Sequence, residues 1–452
     1  MEKVDWIKLV SRRHSLFRLD FLDRGTAIKV KEKWGLNYDD QMFISSPKIN
    51  AWFCSKEKID KLGNLILDKV NHEKGFVNKI ALATEKSCFN LVKITKEIST
   101  GNLGKLTDQQ LALRLKKYSE AHYDFCIYFD VSNSIKEIGT QRISDGLRGK
   151  MLLLKPSKIP LTNQEQIDLR KIAINNENAL KKHMKKYEWL SVYNPDEPSL
   201  PLSYFQDRIK DLAKTKPKEK QAEKLIIPKE LQNLIKLMKR YVYLHTFRAE
   251  MLSKSYFLLK PFLTEIAGRW KIDLTALCAL TSEEIIKILE KNGLPDFEEI
   301  EKRKKAYLHL MKDGKINIYS GKEAEEMFLK EISKDEKEQK SEMLKGFVAS
   351  QGLAEGKVRV IINKEDLKLI EKGDILVTTM TSPDYVQAIH KSGAVVTDEG
   401  GLLCHAAIIC REMGTPCVMG TKIATLVLKT GDWVKVDAFD GIIVKIIKKE
   451  QK

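Results

Sequence analysis

The strongest constraint on the fold of this 452-residue chain is an abrupt change of pattern near Gly346. The first 345 residues contain 13 of the 24 glycines and place apolar residues at helical spacing over long stretches, whereas the last 107 contain the other 11. After Gly346, short apolar or alternating runs separated by glycine-containing turns predict strands. The length also exceeds that of one ordinary core. We therefore predict a multidomain protein with a mainly α-helical N-terminal region followed by a compact α/β domain.

Three stretches of the first region show the helical pattern most clearly, namely residues 108–129, 231–270 and 282–292. The third stretch follows Thr281, an expected N-cap, and Glu283 and Glu284 in its first turn favour the helix dipole. Residues 41–55 are compatible with one or two strands.

Two charged segments divide the chain. Residues 214–229 are lysine-rich and bracketed by prolines, which predicts an exposed loop or arm. Residues 323–345 are rich in charged residues and are followed abruptly by the glycine-rich part, which predicts a hinge. The expected domains are a largely helical region of unknown role over 1–225, a second helical domain over 226–322, the linker over 323–345 and the α/β domain over 346–452.

The net charge of +17 raises the question of nucleic acid as a partner. The last 107 residues contain 14 basic and 13 acidic residues, so the first 345 contain 65 basic and 49 acidic residues. The excess is mainly lysine scattered along helical stretches, without the arginine and aromatic clusters of a base-reading surface. This pattern favours a solvated surface, with a basic face that attracts a nucleotide or an acidic partner as the alternative.

The sequence contains no apolar run of the ~20 residues that a membrane helix needs, and its start lacks the pattern of a secretory signal. We therefore expect a cytoplasmic protein without membrane association. The seven cysteines form no C-x-x-C pair, so no disulfide framework or zinc knuckle is predicted. A metal site at Cys404, Cys410 and Cys417 is an alternative to packing, and packing is favoured because these residues lie in a run that is predicted to be buried turn, helix and strand.

Residues 397–421 contain the candidate catalytic residue of the chain. A predicted strand ends at Thr397, the Gly400-Gly401 pair predicts a tight turn, and His405 begins a predicted helix. The first turn of a helix offers unpaired N–H groups and positive potential, which favour phosphate. A histidine there can act as a nucleophile, and nearby positive charge favours the neutral ring that attacks. On geometry alone, a partly buried histidine that caps its own helix is an equal alternative.

The residues around His405 resemble the phosphohistidine, or swivelling, domain of the phosphoenolpyruvate-utilising enzymes. This family includes phosphoenolpyruvate synthase, pyruvate phosphate dikinase, the rifampin phosphotransferases and the phenylphosphate synthase subunits. Its pattern T-x-x-G-G-x-x-x-H-A-A-I-x-x-R-E-x-G-x-P is matched from Thr397 to Pro416. The upstream G-D-I-L-V begins at Gly373 and is followed by Pro383-Asp384, and the downstream G-D-x-V-x-V-D-x-x-x-G begins at Gly431.

The resemblance implies that His405 is the residue that becomes phosphorylated, and hence that the chain is a phosphotransferase acting through a phosphohistidine intermediate. It further implies a phosphoryl pocket with an arginine that holds the helix or the phosphate. The implied residues of this pocket are Thr397, Gly400, Gly401, Cys404 and Arg411.

The domain order is similar to that of the rifampin phosphotransferases, in which the carrier domain comes last. Phosphoenolpyruvate synthase has a barrel after its carrier domain, and we expect none here because the chain ends at Lys452. Residues 1–340 also lack a G-x-x-x-x-G-K-[ST] or similar loop. Because the phenylphosphate synthase family places its ATP-binding part on a separate subunit, the resemblance implies an ATP-grasp partner in trans that binds ATP with Mg²⁺. No cofactor or metal is expected within this chain.

Residues 231–310 resemble the helical region that precedes the carrier in rifampin-phosphotransferase-like chains, which makes residues 226–322 the expected acceptor-side domain for a small molecule. The candidate residues on one predicted helix are Arg240, Tyr241, Tyr243, His245 and Arg248. At this spacing they can share a face only in part, and packing or surface roles are the alternative. A second hypothesis is a regulatory or scaffolding protein that modifies no small molecule, and a nucleic-acid binder is the third.

Overall fold

The computed structural model of the chain contains two compact units. The first comprises residues 1–7, 12–150 and 155–329, and the second comprises residues 330–452 with the short segments 8–11 and 151–154. No helix in the described part of the chain combines the length and the hydropathy that crossing a bilayer requires. The structure describes residues 4–446 except for positions 11, 48, 130, 132–133, 136–137, 140–141, 144–156, 174–175, 215–227, 333–342, 363, 382–384, 400–404 and 422–423.

Helices make up most of the first unit. They are α1 (Leu16–Trp34), α2 (Lys56–His72), α3 (Phe76–Ile98), α4 (Asp108–Cys126), α5 (Leu161–Arg170), α6 (Glu177–Tyr187), α7 (Leu202–Lys214), α8 (Gln232–Arg269), α9 (Leu274–Leu277), α10 (Ser282–Glu290), α11 (Phe297–Lys305) and α12 (Gly321–Ile332). The predicted helices over 108–129, 231–270 and 282–292 correspond to α4, α8 and α10. The predicted loop over 214–229 lies outside the described residues from 215 to 227.

The 38-residue helix α8 organises this unit, because its length of about 57 Å allows it to contact several elements. It packs along α3, where Thr95 Oγ1 and Ser255 Oγ lie 2.9 Å apart and the rings of Phe89 and Phe247 are 5.5 Å apart. Its apolar residues occur on more than one face, and a helix of that kind is buried between neighbours.

The chain also forms a five-stranded sheet with the strand order β1-β3-β2-β4-β5. The strands are β1 (Trp6–Val10), β2 (Gln41–Ser45), β3 (Asn50–Ser55), β4 (Tyr307–Lys312) and β5 (Lys315–Ser320). Both possible strands between residues 41 and 55 are therefore present. The helical pattern assigned to residues 231–310 ends at Lys305, because Tyr307–Lys312 pairs with β2 as a strand buried on both faces. A strand buried in this way lacks the alternation that sequence reasoning relies on.

The second unit is built on an eight-stranded sheet with the strand order β6-β13-β12-β8-β9-β10-β11-β7. Strands β8, β9, β10 and β11 run parallel, and the outer pairs are antiparallel. The elements are β6 (Met343–Lys345), β7 (Phe347–Ser350), β8 (Leu353–Ile361), β9 (Ile375–Thr378), α13 (Val386–Lys391), β10 (Ala394–Thr397), α14 (His405–Met413), β11 (Cys417–Met419), α15 (Ala424–Val427), β12 (Trp433–Asp437) and β13 (Ile442–Lys445).

Gly346 links the two edge strands of this sheet. It is the single residue between β6 and β7, which lie at opposite ends of the strand order, and its N–H donates to the Gly441 carbonyl at 2.9 Å. A Cβ at position 346 would lie only 2.5 Å from the Met419 carbonyl oxygen. Glycine is therefore required here by the close approach of two backbones.

Two hydrophobic clusters cover the two faces of the sheet. Ile375 and Val377 of β9 belong to one cluster, whereas Leu376 between them belongs to the other together with Ala406 and Cys410 of α14. Both faces of the central parallel strands are thus buried, one mainly under helices that include α14 and the other mainly under residues of β6, β12 and β13. The fold class predicted from the sequence, a mainly helical region followed by an α/β domain, is confirmed.

The predicted hinge over 323–345 overlaps α12, which ends at Ile332, and its residues 333–342 lie outside the described part of the chain. Its role as a hinge, and the predicted division of the first region at residue 225, stay predictions.

Candidate functional site

The parallel strands β9, β10 and β11 end at one edge of the second unit's sheet. Backbone hydrogen bonds join these ends beyond the ladder, because Asp398 N donates to the Thr378 carbonyl and Thr421 N donates to the Thr397 carbonyl, each at 3.1 Å. In α/β folds, ligands bind in the crevice outside the carboxyl ends of parallel strands. This edge is therefore the candidate site.

Helix α14 begins at this edge with His405 and forms the crossover connection from β10 to the neighbouring parallel strand β11. Ala406, Ala407 and Cys410 are buried against the sheet, and their small side chains let the helix lie close to the strands. Gly414, at φ 72°, follows the last helical residue, and Thr415 N donates to the Cys410 carbonyl at 3.0 Å, which ends the helix. The helix start thus places His405 where the sequence predicted it.

The first N–H groups of α14 have no acceptor within the helix, and the positive end of the helix dipole lies at the same place. Both favour an anion beside His405. The side chain of His405 and the predicted pocket residues Gly400, Gly401 and Cys404 lie outside the described part of the structure. Their roles stay predictions.

Thr397 and Arg411 are the two predicted pocket residues whose side chains are described. Thr397 is fully buried, and its hydroxyl donates to the Glu399 carbonyl at 2.6 Å, which shapes the chain leaving β10. Arg411 Nη1 donates to the Ala349 carbonyl of β7 at 3.4 Å and so ties α14 to the sheet. This contact fits the predicted role of holding the helix, and a direct contact of either residue with phosphate stays a prediction.

Asp398 is a site residue that sequence reasoning did not single out. Its buried carboxylate accepts hydrogen bonds from Thr425 N at 3.0 Å and from the Thr421 hydroxyl at 3.4 Å, and the Thr425 hydroxyl also donates to it. These bonds hold the segment after β11 against the end of β10. A carboxylate directly after a buried strand was the available signal.

No group of three or more His, Cys, Asp or Glu side chains among the described residues is arranged to hold a metal ion. Cys410 and Cys417, considered above as metal ligands or packing residues, are buried within the hydrophobic cluster under α14. Cys404 lies outside the described residues.

The five acceptor-side candidates all lie on α8, and the structure divides them into two groups. Arg240 and Tyr243 belong to the first group: Arg240 Nη2 is 3.5 Å from Glu85 Oε1 of α3, and the Tyr243 ring stacks on Phe247 at 5.4 Å. Burial raises the pKa of Tyr243 to about 12, so its hydroxyl is neutral at physiological pH.

Tyr241, His245 and Arg248 form the second group. Arg248 Nη2 lies 3.1 Å from His245 Nδ1, and its guanidinium lies 3.8 Å from the ring centroid of Phe129. The Tyr241 hydroxyl is buried without a hydrogen-bond partner among the described residues, and burial raises its pKa well above the usual value. The five residues therefore do not converge on one site, and their acceptor role stays a prediction.

Residues 370–441 match the family described as PEP-utilising enzyme, mobile domain. A probable phosphoenolpyruvate synthase of Archaeoglobus fulgidus is 55% identical over 111 residues, which cover 24% of this chain and 15% of the relative. A probable phosphoenolpyruvate synthase of Pyrococcus abyssi is 42% identical over 180 residues, which cover 38% of this chain and 21% of the relative. The phosphoenolpyruvate synthase of Pyrococcus furiosus is 40% identical over 188 residues, which cover 38% of this chain and 22% of the relative.

The chain thus spans between 15% and 22% of the length of these relatives. The C-terminal unit contains a phosphohistidine-carrying mobile domain related to that of phosphoenolpyruvate synthases. The match with the Pyrococcus abyssi relative extends over 180 residues, which is more than the 107 residues that follow position 345. The similarity therefore also includes part of the preceding region.

Proposed function

We propose that this chain is a cytoplasmic phosphotransferase component that carries a phosphoryl group on His405 to a small-molecule acceptor. The observation that carries the proposal is the match of residues 370–441 to the mobile domain, combined with a helix that begins at His405 on the carboxyl edge of the parallel strands. The proposed donor is ATP, bound with Mg²⁺ by an ATP-grasp subunit in trans.

The chemistry consists of two transfers. A neutral imidazole nitrogen of His405 attacks the phosphorus of the donor, an N–P bond forms, and the P–O bond to the donor breaks with its electron pair leaving on oxygen. An acceptor oxygen then attacks the same phosphorus while its proton passes to a base, and the N–P electron pair returns to the ring. Dividing one transfer into two lowers each barrier, and positioning with charge stabilisation supplies most of the catalysis.

The start of α14 supports the first transfer. Charge on the phosphoryl oxygens is stabilised by helix N–H groups and by the helix dipole, and this environment also disfavours protonation of a histidine beside it. Asp398, Thr421 and Thr425 fix the segments on either side of the helix and so reduce the reorganisation that transfer would otherwise require.

The proposed layout, a carrier and an acceptor-side region with a separate nucleotide-binding subunit, follows the resemblance to the rifampin phosphotransferases and to the phenylphosphate synthase subunits. The relatives named above are phosphoenolpyruvate synthases, so phosphoenolpyruvate is the donor to compare with ATP.

The deciding experiment incubates the purified chain with γ- and β-labelled ATP and Mg²⁺, alone and with a candidate ATP-grasp partner, and with labelled phosphoenolpyruvate in parallel. We expect acid-labile, alkali-stable label on the native chain with the partner, and a fall to background in His405→Ala. His390→Ala is the matched control, because His390 is exposed at the end of α13 in the same unit.

Equal labelling of His405→Ala and the native chain would contradict the proposal. Absence of label from every donor would instead favour the regulatory or scaffolding hypothesis. Label that appears without a partner would place a nucleotide site within this chain.

A further inference from the structure

Helix α3 of the first unit presents one face to solvent along its whole length. Its opposite face is buried, because Ile80, Cys88 and Leu91 lie where the helix packs against α4 and α8. Residues three, four and seven positions apart lie on the same side of a helix, so the exposed residues of α3 form one stripe. We call this surface the α3 stripe, and its principal residues are Lys79, Leu82, Lys86, Phe89, Lys93 and Lys96.

The α3 stripe contains two large apolar side chains that solvent reaches. Leu82 is 62% exposed and Phe89 is 59% exposed, whereas Ile80 and Leu91 on the opposite face are almost fully buried. Single exposed apolar residues are common on protein surfaces, but these two lie seven residues, and hence two helical turns, apart on one stripe. Exposed apolar groups framed by polar residues are typical of an interaction surface.

The ring of Phe89 is held in position by the neighbouring helix. It packs edge-on against Phe247 of α8 with the ring centroids 5.5 Å apart, and Phe247 in turn stacks on Tyr243 at 5.4 Å. A ring that is already fixed loses little conformational freedom when a partner covers it. Phe89 therefore has the properties of an aromatic anchor in an interface.

Lysines alternate with these apolar residues along the stripe. Lys79, Lys86 and Lys93 recur at intervals of seven residues, and Lys96 lies one turn beyond the last of them. Lys86 and Lys96 are exposed and have no ion-pair partner among the described residues. Lys93 Nζ lies 3.9 Å from Glu97 Oε1 at an exposed position, where such a pair contributes little.

The two glutamates of α3 are paired with basic residues of neighbouring elements. Glu85 Oε1 lies 2.7 Å from Lys158 Nζ and 3.5 Å from Arg240 Nη2. Glu97 Oε2 lies 2.7 Å from Lys117 Nζ of α4. The neighbouring elements thus bring more positive than negative charge to the borders of the stripe.

Glu73, just before α3, is a third carboxylate near the stripe. It acts electrostatically on Lys79, but its hydrogen bond comes from Lys69 Nζ at 2.7 Å. These interacting groups and the lysines of the stripe comprise eight basic and three acidic residues, namely Lys69, Lys79, Lys86, Lys93, Lys96, Lys117, Lys158, Arg240, Glu73, Glu85 and Glu97. The α3 stripe therefore carries positive potential that attracts an acidic surface.

The chemistry of the stripe favours a protein over a membrane or a nucleic acid. A helix that binds a bilayer presents a continuous apolar face, whereas the continuous apolar face of α3 is buried and its exposed apolar residues alternate with lysines. The helix contains no arginine, and Phe89 is the one ring of the stripe that could stack on a base. A protein surface that combines carboxylates with apolar side chains complements both the lysines and the two apolar residues.

We propose that the α3 stripe is the docking surface for an acidic protein partner, the nucleotide-binding subunit of the proposed function. The stripe extends for about 26 Å from Lys79 to Lys96, which is comparable with the width of a standard interface of about 800 Å² per partner. The identification of the partner as this subunit rests on the proposed function. The acidic and apolar character of the partner follows from the stripe alone.

The test measures binding of the full chain to a fluorescently labelled copolymer of glutamate and tyrosine, by fluorescence anisotropy, with polyglutamate of equal length in parallel. We expect the copolymer to bind at least about fivefold more tightly than polyglutamate, because its rings contact Leu82 and Phe89. Leu82→Ser should remove most of this preference, and its exposed position keeps the fold intact. Lys86→Gln combined with Lys96→Gln should weaken binding of both polymers at least about fivefold and reduce its salt dependence.

Two matched controls alter other exposed positions of the same unit. Leu294→Ser changes a residue that is 67% exposed between α10 and α11, and Lys182→Gln with Lys185→Gln removes the same charge from α6. Neither control should change binding. Equal weakening by the controls, or equal affinity for the two polymers, would overturn the proposal. Binding of single-stranded DNA or of phosphatidylglycerol vesicles through Lys86 and Lys96, without binding of the copolymer, would overturn it in favour of a nucleic acid or a membrane.

The identity of the partner is tested by labelling His405 at increasing concentrations of the candidate ATP-grasp subunit. Leu82→Ser should raise the subunit concentration that gives half-maximal labelling at least about threefold, because apolar contact area is lost. An unchanged concentration would overturn the assignment of this subunit to the stripe. Absence of labelling in the native chain, with the preference for the copolymer intact, would support the docking surface and refute only the proposed function.

Discussion

Asp398 joins three segments at the carboxyl edge of the parallel strands. Its N–H donates to Thr378 at the end of β9, and its carboxylate accepts from Thr421 and Thr425 in the segment that follows β11. Hydrogen bonds to a buried carboxylate are stronger than those between neutral groups. A single side chain thereby fixes the backbone on both sides of α14.

We expect Asp398→Asn to lower the free energy of unfolding by about 1–3 kcal/mol, because an amide presents a donor to groups that are themselves donors. Chemical denaturation followed by circular dichroism measures this change. Asp440→Asn, in the exposed turn before β13, is the control and should change stability by less than about 0.5 kcal/mol. A similar loss in both variants would show that the buried hydrogen bonds of Asp398 contribute nothing specific.

The start of α10 combines a helix cap with an ion pair. Thr281 Oγ1 accepts from Glu284 N at 3.1 Å, and Glu284 Oε2 accepts from Thr281 N at 2.8 Å, which forms a capping box. The buried guanidinium of Arg303 on α11 also donates to both Glu284 oxygens, at 2.8 and 3.0 Å. Glu284 therefore connects two helices as well as capping one.

The pH dependence of stability tests this arrangement. Burial alone would raise the pKa of Glu284, but the hydrogen bonds and charge of Arg303 bring it below its usual value. Its contribution is therefore present above the pKa of the unfolded chain, near 4.3, and is lost as pH falls through the lower folded value. We expect Glu284→Gln to cost about 1 kcal/mol at pH 7 and less as the pH falls below about 4, because glutamine keeps the cap but loses the charge.

Denaturation curves at pH 7 and pH 3 measure this difference. Glu298→Gln provides the comparison, since Glu298 forms an exposed pair with Lys302 whose loss should leave stability unchanged within the error of the measurement. A pH-independent cost of Glu284→Gln would mean that packing, and not charge, explains the effect.

The second unit has the internal contacts of an independently folding domain. Every residue of its two hydrophobic clusters lies between positions 344 and 443. Strands β6 and β7 supply Leu344 to one cluster and Ala349 to the other, and Gly346 links these two edge strands.

We expect a fragment of residues 341–452 to fold alone and to unfold in one cooperative transition on heating, because both of its cores are complete. A fragment of residues 353–452 should lose this transition, since removing β6 and β7 leaves β13 and β11 as the unpaired edges and takes Leu344 and Ala349 out of the two cores. Thermal unfolding of the two fragments, followed by circular dichroism, makes the comparison. Cooperative unfolding of the shorter fragment would show that β6 and β7 are dispensable for the fold.

The sequence by itself was sufficient for features that depend on local interactions. The cap at Thr281 is present, α8 differs from its predicted range by one residue at each end, and α14 begins at His405. Caps, periodicity and glycine-containing turns act over a few residues, so their effects are visible in a linear pattern. The resemblance around His405 also required only a contiguous segment, and residues 370–441 match the mobile-domain family.

Only the tertiary structure decided which distant residues meet. Strand β4 pairs with β2 across more than 250 residues, β6 pairs with β13 at the far end of the domain sequence, and Arg18 donates to the Tyr193 carbonyl. These contacts depend on burial and on backbone approach between segments that are far apart in the chain. A buried strand lacks alternation, and a charge has no visible partner until the chain folds. For this reason the sequence predicted that a helix begins at His405, whereas the pairing of β4 with β2 emerged only from packing.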